Sequence, residues 1–291
     1  MDAVELGRII ERLPATEDAR VLSQRRDRPI LLHEHHRWTL PIIVALQEYK
    51  LLPQPCVLVA FDAHDDGVPP RYPDRLAGYT SPITSDDAFR LCEEGLSTMN
   101  DDWIKAGMEL GAIAHAVVFG ARAEGRESAP EHRDRDGQVH HLLTCPLPSS
   151  SLGYQGRLVD RARRAELQPL WDILCWEPHG NDFRFRPGAP AIFLSIDLDC
   201  FVEPQLELLL PWHPKLWQRE FIRESHYRPG WSGQRLFREL LNRSAAVDLV
   251  REPACCGSIE AEGQEHADIV LRDVDTYLFA GALGVSSRQP Y

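Results

Sequence analysis

Short apolar runs alternate with helix-like segments along the chain. Five runs rich in β-branched or apolar residues, bounded by polar residues, proline or glycine, predict buried strands. They cover 30–32, 57–61, 116–120, 192–196 and 247–250. Between them, apolar residues three and four positions apart predict helices over 40–49, 85–95, 101–111 and 234–242. Strands that alternate with helices are typical of a parallel sheet covered on both faces, so the sequence predicts a three-layer α/β/α fold with a mainly parallel sheet.

Two stretches interrupt this alternation. Residues 121–164 are rich in Arg, Glu, Asp, Ser, Pro and Gly, and we expect a long surface excursion there. Residues 204–233 contain Trp212, Trp217 and Trp231 among prolines, which indicates an irregular segment that packs down. Because the composition does not otherwise change along the 291 residues, we predict one domain spanning 1–291.

Composition and charge narrow the class of protein. The net charge of −12 argues against a nucleic-acid partner and suits a cationic one. Residues 1–13 mix charged with apolar positions, and no apolar run is long enough to span a bilayer, so we expect a cytoplasmic protein that does not enter a membrane. The seven cysteines contain no CxxC pair and are expected to be reduced core thiols; Cys255 and Cys256 are interpreted as small buried residues in a tight turn.

Acidic residues and histidine follow two of the predicted strands. Asp62, His64 and Asp66 follow the predicted strand 57–61, and Asp197 and Asp199 follow the predicted strand 192–196. Ligands gather beyond the carboxyl ends of parallel strands, and two carboxylates facing one side repel each other unless a cation compensates them. We therefore predict a metal site at this edge.

A histidine cluster at the end of the first predicted strand offers a further ligand. Any of His33, His35 and His36 could supply one imidazole; His36 is favoured by its offset from the strand, with His35 as the alternative. A ligand set made mainly of carboxylates, with one or two imidazoles and no thiolate, favours manganese or magnesium over structural zinc. Shared aspartates would hold two such ions, best predicted as Mn²⁺, about 3.5 Å apart around a hydroxide.

These motifs resemble the arginase superfamily, in which a GGDH turn, a DAHxD strand end, an SxDxDxxDP strand end and a later glutamate occur in that order. Asp62, His64 and Asp66 match the second motif, and Ser195, Asp197 and Asp199 match the first half of the third. The glycines that precede the family's first histidine are missing, and Val202-Glu203-Pro204 replaces the third Asp-Pro pair. The resemblance spans about residues 29–275 and implies a binuclear manganese hydrolase.

The resemblance also implies which residues contact substrate. Glu252 ends the last predicted strand, where the family's glutamate binds the guanidinium group, and Asp102 in the helix start 100–104 is the second substrate-binding candidate. The segment with which arginases grip the α-amino and α-carboxylate groups of free arginine has no counterpart after Asp66. The chain is thus more similar to a divergent arginase-related family that includes the peptide arginases, which convert arginine side chains of a ribosomally made precursor peptide to ornithine.

The implied reaction releases urea. A metal-bound hydroxide attacks the guanidinium carbon held by Glu252, and Asp66 carries the proton to the leaving amine, with His115 and His179 as further candidates. Two other hypotheses stay open: a hydrolase of a small guanidino or acylated amine compound, and a non-catalytic, metal-stabilised binding protein. A zinc site of the deacetylase type would contain fewer carboxylates, so metal content discriminates between these chemistries.

Overall fold

The computed structural model describes residues 3–25, 28–120, 131–145, 147, 172–179, 182–205, 208–223 and 232–285. Within them, eight strands form one sheet and four more form two hairpins. The strands are β1 Arg20–Arg25, β2 Arg28–His33, β3 Cys56–Phe61, β4 Ile113–Phe119, β5 Glu131–Arg133, β6 Val139–Cys145, β7 Trp176–His179, β8 Asp182–Phe185, β9 Ile192–Asp197, β10 Val202–Gln205, β11 Leu208–Pro211 and β12 Ser244–Val250.

The large sheet has the order β1-β2-β12-β9-β3-β4-β6-β5. Every pairing from β2 through β6 is parallel, whereas β1 and β5 close the two edges in antiparallel fashion. A sheet that is parallel through its centre needs helices on both faces to bury its apolar side chains. The mainly parallel sheet predicted from the sequence is confirmed.

Helices cover both faces. They are α1 Ala3–Ile10, α2 Thr39–Glu48, α3 Pro73–Leu76, α4 Ser85–Glu94, α5 Trp103–Glu109, α6 Pro214–Trp217, α7 Gly233–Arg243, α8 Pro253–Cys256 and α9 Glu260–Tyr277. Side chains alternate between the two faces along each strand. Leu58 and Ala60 of β3 therefore pack with α1, α2, α4 and α5, whereas Val57 and Val59 pack with α7 and α9. This arrangement is the predicted three-layer fold.

The two irregular stretches differ from each other. The expected surface excursion over 121–164 is wrong for 131–133 and 139–145, which form β5 and β6 at the sheet edge with Leu142 buried. Its remaining residues lie outside the described part of the chain, apart from Asp134–Gln138 between the two strands and Leu147. Trp212 and Trp217 are buried in the core, as predicted for their segment. No helix among the described residues has both the length and the apolar character that crossing a membrane requires.

Four neighbouring parallel strands end at one edge of the sheet. Val250 of β12 lies between His33 of β2 and Asp197 of β9, and Phe61 of β3 pairs with Ile196 of β9. The residues that follow these strands therefore emerge side by side, although they are far apart in the sequence. This edge holds the candidate site.

Candidate metal centre

His36 lies at the centre of a buried group of carboxylates. It begins a short 3-10 turn just after β2 and is 1% exposed. Its Nδ1 is 2.9 Å from Asp66 Oδ2, 3.1 Å from Asp62 Oδ2 and 3.3 Å from Asp197 Oδ2. One imidazole nitrogen thus faces three acidic side chains that come from two different strand ends.

The ring of His36 is fixed from behind. Its Nε2 lies 2.9 Å from the hydroxyl oxygen of Ser195, a buried residue of β9, and its ring centroid lies 4.8 Å from that of Trp103. When the far nitrogen of a histidine is held in this way, the near nitrogen is oriented for binding. Ser195 therefore aims Nδ1 at the carboxylates.

The two neighbouring histidines are engaged elsewhere. His35 Nδ1 lies 2.9 Å from Glu17 Oε1, and its side chain is 43% exposed. His33 is buried with its Nε2 at 3.0 Å from Asp248 Oδ2. The structure therefore places His36 in the acidic cluster and neither of the alternatives.

Each of three aspartates has one anchored oxygen and one that points inward. Asp62 Oδ1 accepts the backbone N–H of His64 at 2.7 Å, Asp197 Oδ1 accepts that of Asp199 at 3.0 Å, and Asp199 Oδ1 accepts that of Ala63 at 3.2 Å. The Oδ2 atoms of Asp62 and Asp197 face His36, and Asp199 Oδ2 lies 2.8 Å from His64 Nδ1. Hydrogen bonds from the backbone thus fix the orientation of all three carboxylates.

Asp66 reaches the cluster because the chain reverses there. Its φ of 46° is in the left-handed region, which few residues other than glycine adopt. Asp66 Oδ2 accepts the indole N–H of Trp103 at 2.7 Å. The reversal of the chain at Asp66 therefore brings its carboxylate to His36, and Trp103 holds the side chain in place.

The protonation of the cluster reflects crowded negative charge. Burial, reinforced by the other carboxylates, raises the pKa of Asp62 and Asp197 well above the usual range. Burial opposes a charge on His36, but hydrogen bonds to Asp197, Asp62 and Asp66 raise its pKa well above normal. The contact with Asp199 raises the pKa of His64 to about 11. Burial would raise the pKa of Asp199, but the hydrogen bond and charge of His64 lower it instead. The negative charge of these buried carboxylates therefore calls for compensation by positive charge.

The donor set fits a divalent cation. His36 Nδ1, Asp62 Oδ2 and Asp199 Oδ2 are buried, and their close contacts are with other ligand atoms of the same cluster. Candidate ligand atoms of His36, Asp62 and Asp66 lie within 4.8 Å of one another, as do those of Asp62, Asp197 and Asp199. Asp62 belongs to both groups, as a bridging carboxylate would. A bound cation compensates buried carboxylates that converge on one point, and carboxylate-rich ligand sets suit Mn²⁺ or Mg²⁺.

Glu252 lies beside this cluster as a buried carboxylate. It follows β12 with φ 36° and ψ 60°, a left-handed conformation that turns its side chain toward His36. Its Oε1 accepts the backbone N–H of His36 at 2.8 Å and the side-chain amide of Asn100 at 2.6 Å. Burial, together with the charge of Asp66, raises the pKa of Glu252. Oε1 thus has two donors, whereas Oε2 accepts only the weak hydrogen bond of the Cys255 thiol at 3.4 Å among the described residues, so Oε2 is the oxygen with room for a substrate donor.

Asp102 has a structural contact where substrate binding was expected. It is fully buried, and its carboxylate accepts the backbone N–H groups of Ser97 at 3.0 Å and Arg71 at 3.1 Å. It fixes the loop that carries Asn100 to Glu252 and Trp103 to Asp66. We therefore correct the assignment of Asp102 from substrate contact to positioning of this loop.

Of the two further proton-donor candidates, His115 lies outside the cluster, and the side chain of His179 lies outside the described part of the chain. His115 is in β4, where its Nδ1 accepts the backbone N–H of His141 at 3.1 Å. Residue 179 is described only for its backbone. Cys255, to which the sequence analysis assigned no chemistry, lies with His64 and Asp199 in a third group of candidate ligands. Asn100 and Trp103 belong to the helix start noted in the sequence, and Cys255 belongs to the expected tight turn, but the sequence assigned none of the three a role because their contacts with the site arise from the tertiary structure.

In comparisons with known proteins, the chain matches no protein-family model, and no curated protein is similar to it at a significant level.

Proposed function

We propose that the protein is a divalent-metal-dependent hydrolase of the arginase type, which converts arginine side chains in a peptide to ornithine and releases urea. The observation that carries the proposal is the convergence of buried ligand atoms, with Glu252 beside them. These atoms belong to His36, Asp62, Asp66, Asp197 and Asp199. The residues that match three separated arginase motifs are the ones that meet at this edge of the sheet.

The protein's own residues would divide the work of the reaction. Two divalent cations, best predicted as Mn²⁺, would supply a bound water acidic enough to be hydroxide at neutral pH. Glu252 Oε2 is the carboxylate oxygen left to accept a guanidinium N–H, and its negative charge strengthens that hydrogen bond. Asp66 would carry the proton to the leaving amine, with Trp103 keeping its carboxyl group oriented.

The segment after Asp66 favours a peptide over free arginine. Residues 67–70 read Gly-Val-Pro-Pro and offer no polar side chain to an α-amino or α-carboxylate group. The backbone N–H of Val68 is already bonded to Asp101 O at 2.9 Å. An arginine inside a peptide has no free α-carboxylate to satisfy, and it avoids repulsion between that group and an acidic protein.

A neighbouring cavity also suits a substrate longer than one amino acid. It has a volume of about 620 Å³ and adjoins the Glu252 turn through Pro253, Ala254 and Gly257. Its other walls include Asp18, Glu34 and Glu260. Arg251, which pairs with Glu34 at 2.7 Å, also lines the cavity, so the three carboxylates leave a net negative charge that suits the flank of a basic peptide.

The test is urea release in the presence of manganese from two substrates at equal concentration: free arginine, and peptides that contain one arginine with both termini blocked. We expect urea from the peptides, accompanied by the mass change from arginine to ornithine, and much slower release from free arginine. Efficient turnover of free arginine with none of any peptide would refute the peptide assignment. Absence of turnover by protein with a full complement of metal would favour the binding-protein alternative.

A further inference from the structure

Cys255 lies on the exposed side of the metal centre. Helix α8 begins directly after Glu252, and its first turn brings the backbone N–H of Cys255 to Glu252 O at 2.8 Å. The same turn carries the thiol back over the carboxylate, so that Cys255 Sγ lies 3.4 Å from Glu252 Oε2. The thiol therefore donates a weak hydrogen bond to the oxygen of Glu252 that the proposed reaction assigns to the substrate.

The thiol meets two other ligand types at this position. Sγ of Cys255, a ring nitrogen of His64 and a carboxylate oxygen of Asp199 lie within 4.8 Å of one another. Asp199 is 1% exposed, and its Oδ2 is directed at His64 Nδ1, 2.8 Å away, so these two ligand atoms already face each other. His64 is 45% exposed, so this side of the centre is open to ions from solution.

The two halves of the centre differ in chemical softness. The inner group of His36, Asp62 and Asp66 offers one nitrogen and carboxylate oxygens, which suit hard cations such as Mn²⁺. The outer group adds sulfur, which prefers zinc and similar metals. A sulfur, a nitrogen and an oxygen leave a fourth tetrahedral position open, as in zinc sites that keep one position for water.

We propose that Cys255, His64 and Asp199 form a site for a thiophilic divalent cation of the zinc class at the mouth of the centre. The inference rests on the proposed function only in that His64 and Asp199 belong to both metal sites. A cation bound here lies beside Glu252 Oε2 and competes with a guanidinium group for that oxygen. Zinc is therefore expected to inhibit turnover by the manganese form, and loss of the thiol to relieve that inhibition.

Cobalt(II) tests the site without any need for turnover, because a thiolate bound to cobalt gives an intense charge-transfer absorption that oxygen and nitrogen ligands do not give. The variants are Cys255→Ser and, as the matched control, Cys256→Ser. Cys256 is the buried neighbour, whose thiol donates to Arg251 O at 3.3 Å. We expect the thiolate band in the wild type and in Cys256→Ser but not in Cys255→Ser. We also expect zinc to bind Cys255→Ser at least about tenfold more weakly.

A second measurement uses the wild-type protein alone, so it holds even where a variant folds poorly. Zinc should slow alkylation of Cys255 by iodoacetamide, as followed by peptide mass mapping, and should leave alkylation of the other cysteines unchanged. Cobalt binding without a thiolate band, or alkylation of Cys255 that zinc does not slow, would overturn the Cys255 site and leave the carboxylate centre standing. Failure to bind any divalent cation would overturn both this site and the proposed function.

Discussion

Replacing Glu252 with Gln tests substrate recognition apart from metal binding. The change keeps the shape of the side chain and the oxygen that accepts from His36 N at 2.8 Å and Asn100 Nδ2 at 2.6 Å. It converts Oε2, the acceptor left for substrate, into an amide that donates. Because burial and Asp66 already disfavour the charge of Glu252, we expect the variant to fold with undiminished stability.

The expected loss of activity follows from one hydrogen bond. Removing a charge-assisted hydrogen bond at a buried site costs about 1.5–3 kcal/mol. At about 1.4 kcal/mol per decade, kcat/KM falls roughly ten- to hundredfold. Bound manganese should stay at the wild-type value, because no ligand of the cluster changes.

The assay measures bound manganese and urea release on the same preparation of Glu252→Gln. Glu239→Gln, at an exposed position of α7, is the control for loss of one negative charge and should match the wild type in both measurements. Unchanged turnover would show that Glu252 does not recognise the substrate. Loss of metal would instead make it a ligand, which would refute the assignment of separate roles.

Three further outcomes are expected. Trp103→Phe removes the 2.7 Å hydrogen bond to Asp66. The free energy of unfolding, measured by urea denaturation, should fall by about 0.5–1.5 kcal/mol, and manganese should bind about tenfold more weakly. Trp38→Phe, whose indole N–H makes no hydrogen bond within the described residues, is the control, and equal metal affinities of the two variants would contradict this role. Removing the metal with a chelator should lower the Tm. The free energy of unfolding should fall by about 2.7 kcal/mol if the free ion had been at about 100 times its Kd. An unchanged Tm would argue against a bound ion. Burial, together with His141 and His140, lowers the pKa of His115 from 6.5 to about 4. As pH falls from 6.5 to about 4, the unfolded chain therefore takes up a proton on His115 before the folded chain does, and the folded protein loses stability. His115→Gln should lessen this loss by about 1–2 kcal/mol after allowance for solvent screening. Parallel plots of stability against pH for the two proteins would refute this.

The sequence predicts much of the fold and of the acidic cluster because both depend on local patterns. The apolar runs 57–61 and 192–196 are buried on both faces, and each ends directly before an aspartate of the cluster. Parallel strands share one ligand-bearing edge, so Asp62 and Asp197 could be expected to meet. The polar strand β6 escaped prediction, because the side chain of its buried His140 is satisfied by Ala114 O at 2.8 Å and Asp134 at 3.1 Å, contacts that no pattern reveals.

The supporting residues depend on the order of strands and on single backbone angles. The position of β12 between β2 and β9 brings Glu252 to His36, and sequence periodicity does not encode that order. Asn100 and Trp103 reach the site from a loop fixed by the buried carboxylate of Asp102. Cys255 faces the centre only because Glu252 adopts a left-handed conformation. Such contacts follow from tertiary structure and could not be inferred from spacing.

The choice among the three clustered histidines also depends on contacts. His35 is extended, with φ −119° and ψ 131°, and the turn that begins at His36 directs the next ring inward. Glu17 and Asp248 engage His35 and His33, respectively. The number of residues between a histidine and the strand end could only favour His36. The contacts of the three rings show that His36 is the one that faces the carboxylates.

Metal content of matched histidine variants tests the central claim most directly. Wild-type protein, His36→Ala and His35→Ala are loaded with manganese under identical conditions, freed of unbound metal and subjected to elemental analysis. We predict two ions per chain for the wild type and for His35→Ala, and a substoichiometric content for His36→Ala, because only His36 faces the carboxylates of Asp62, Asp66 and Asp197. Less than one ion per wild-type chain, or loss of metal in His35→Ala with full retention in His36→Ala, would contradict the account.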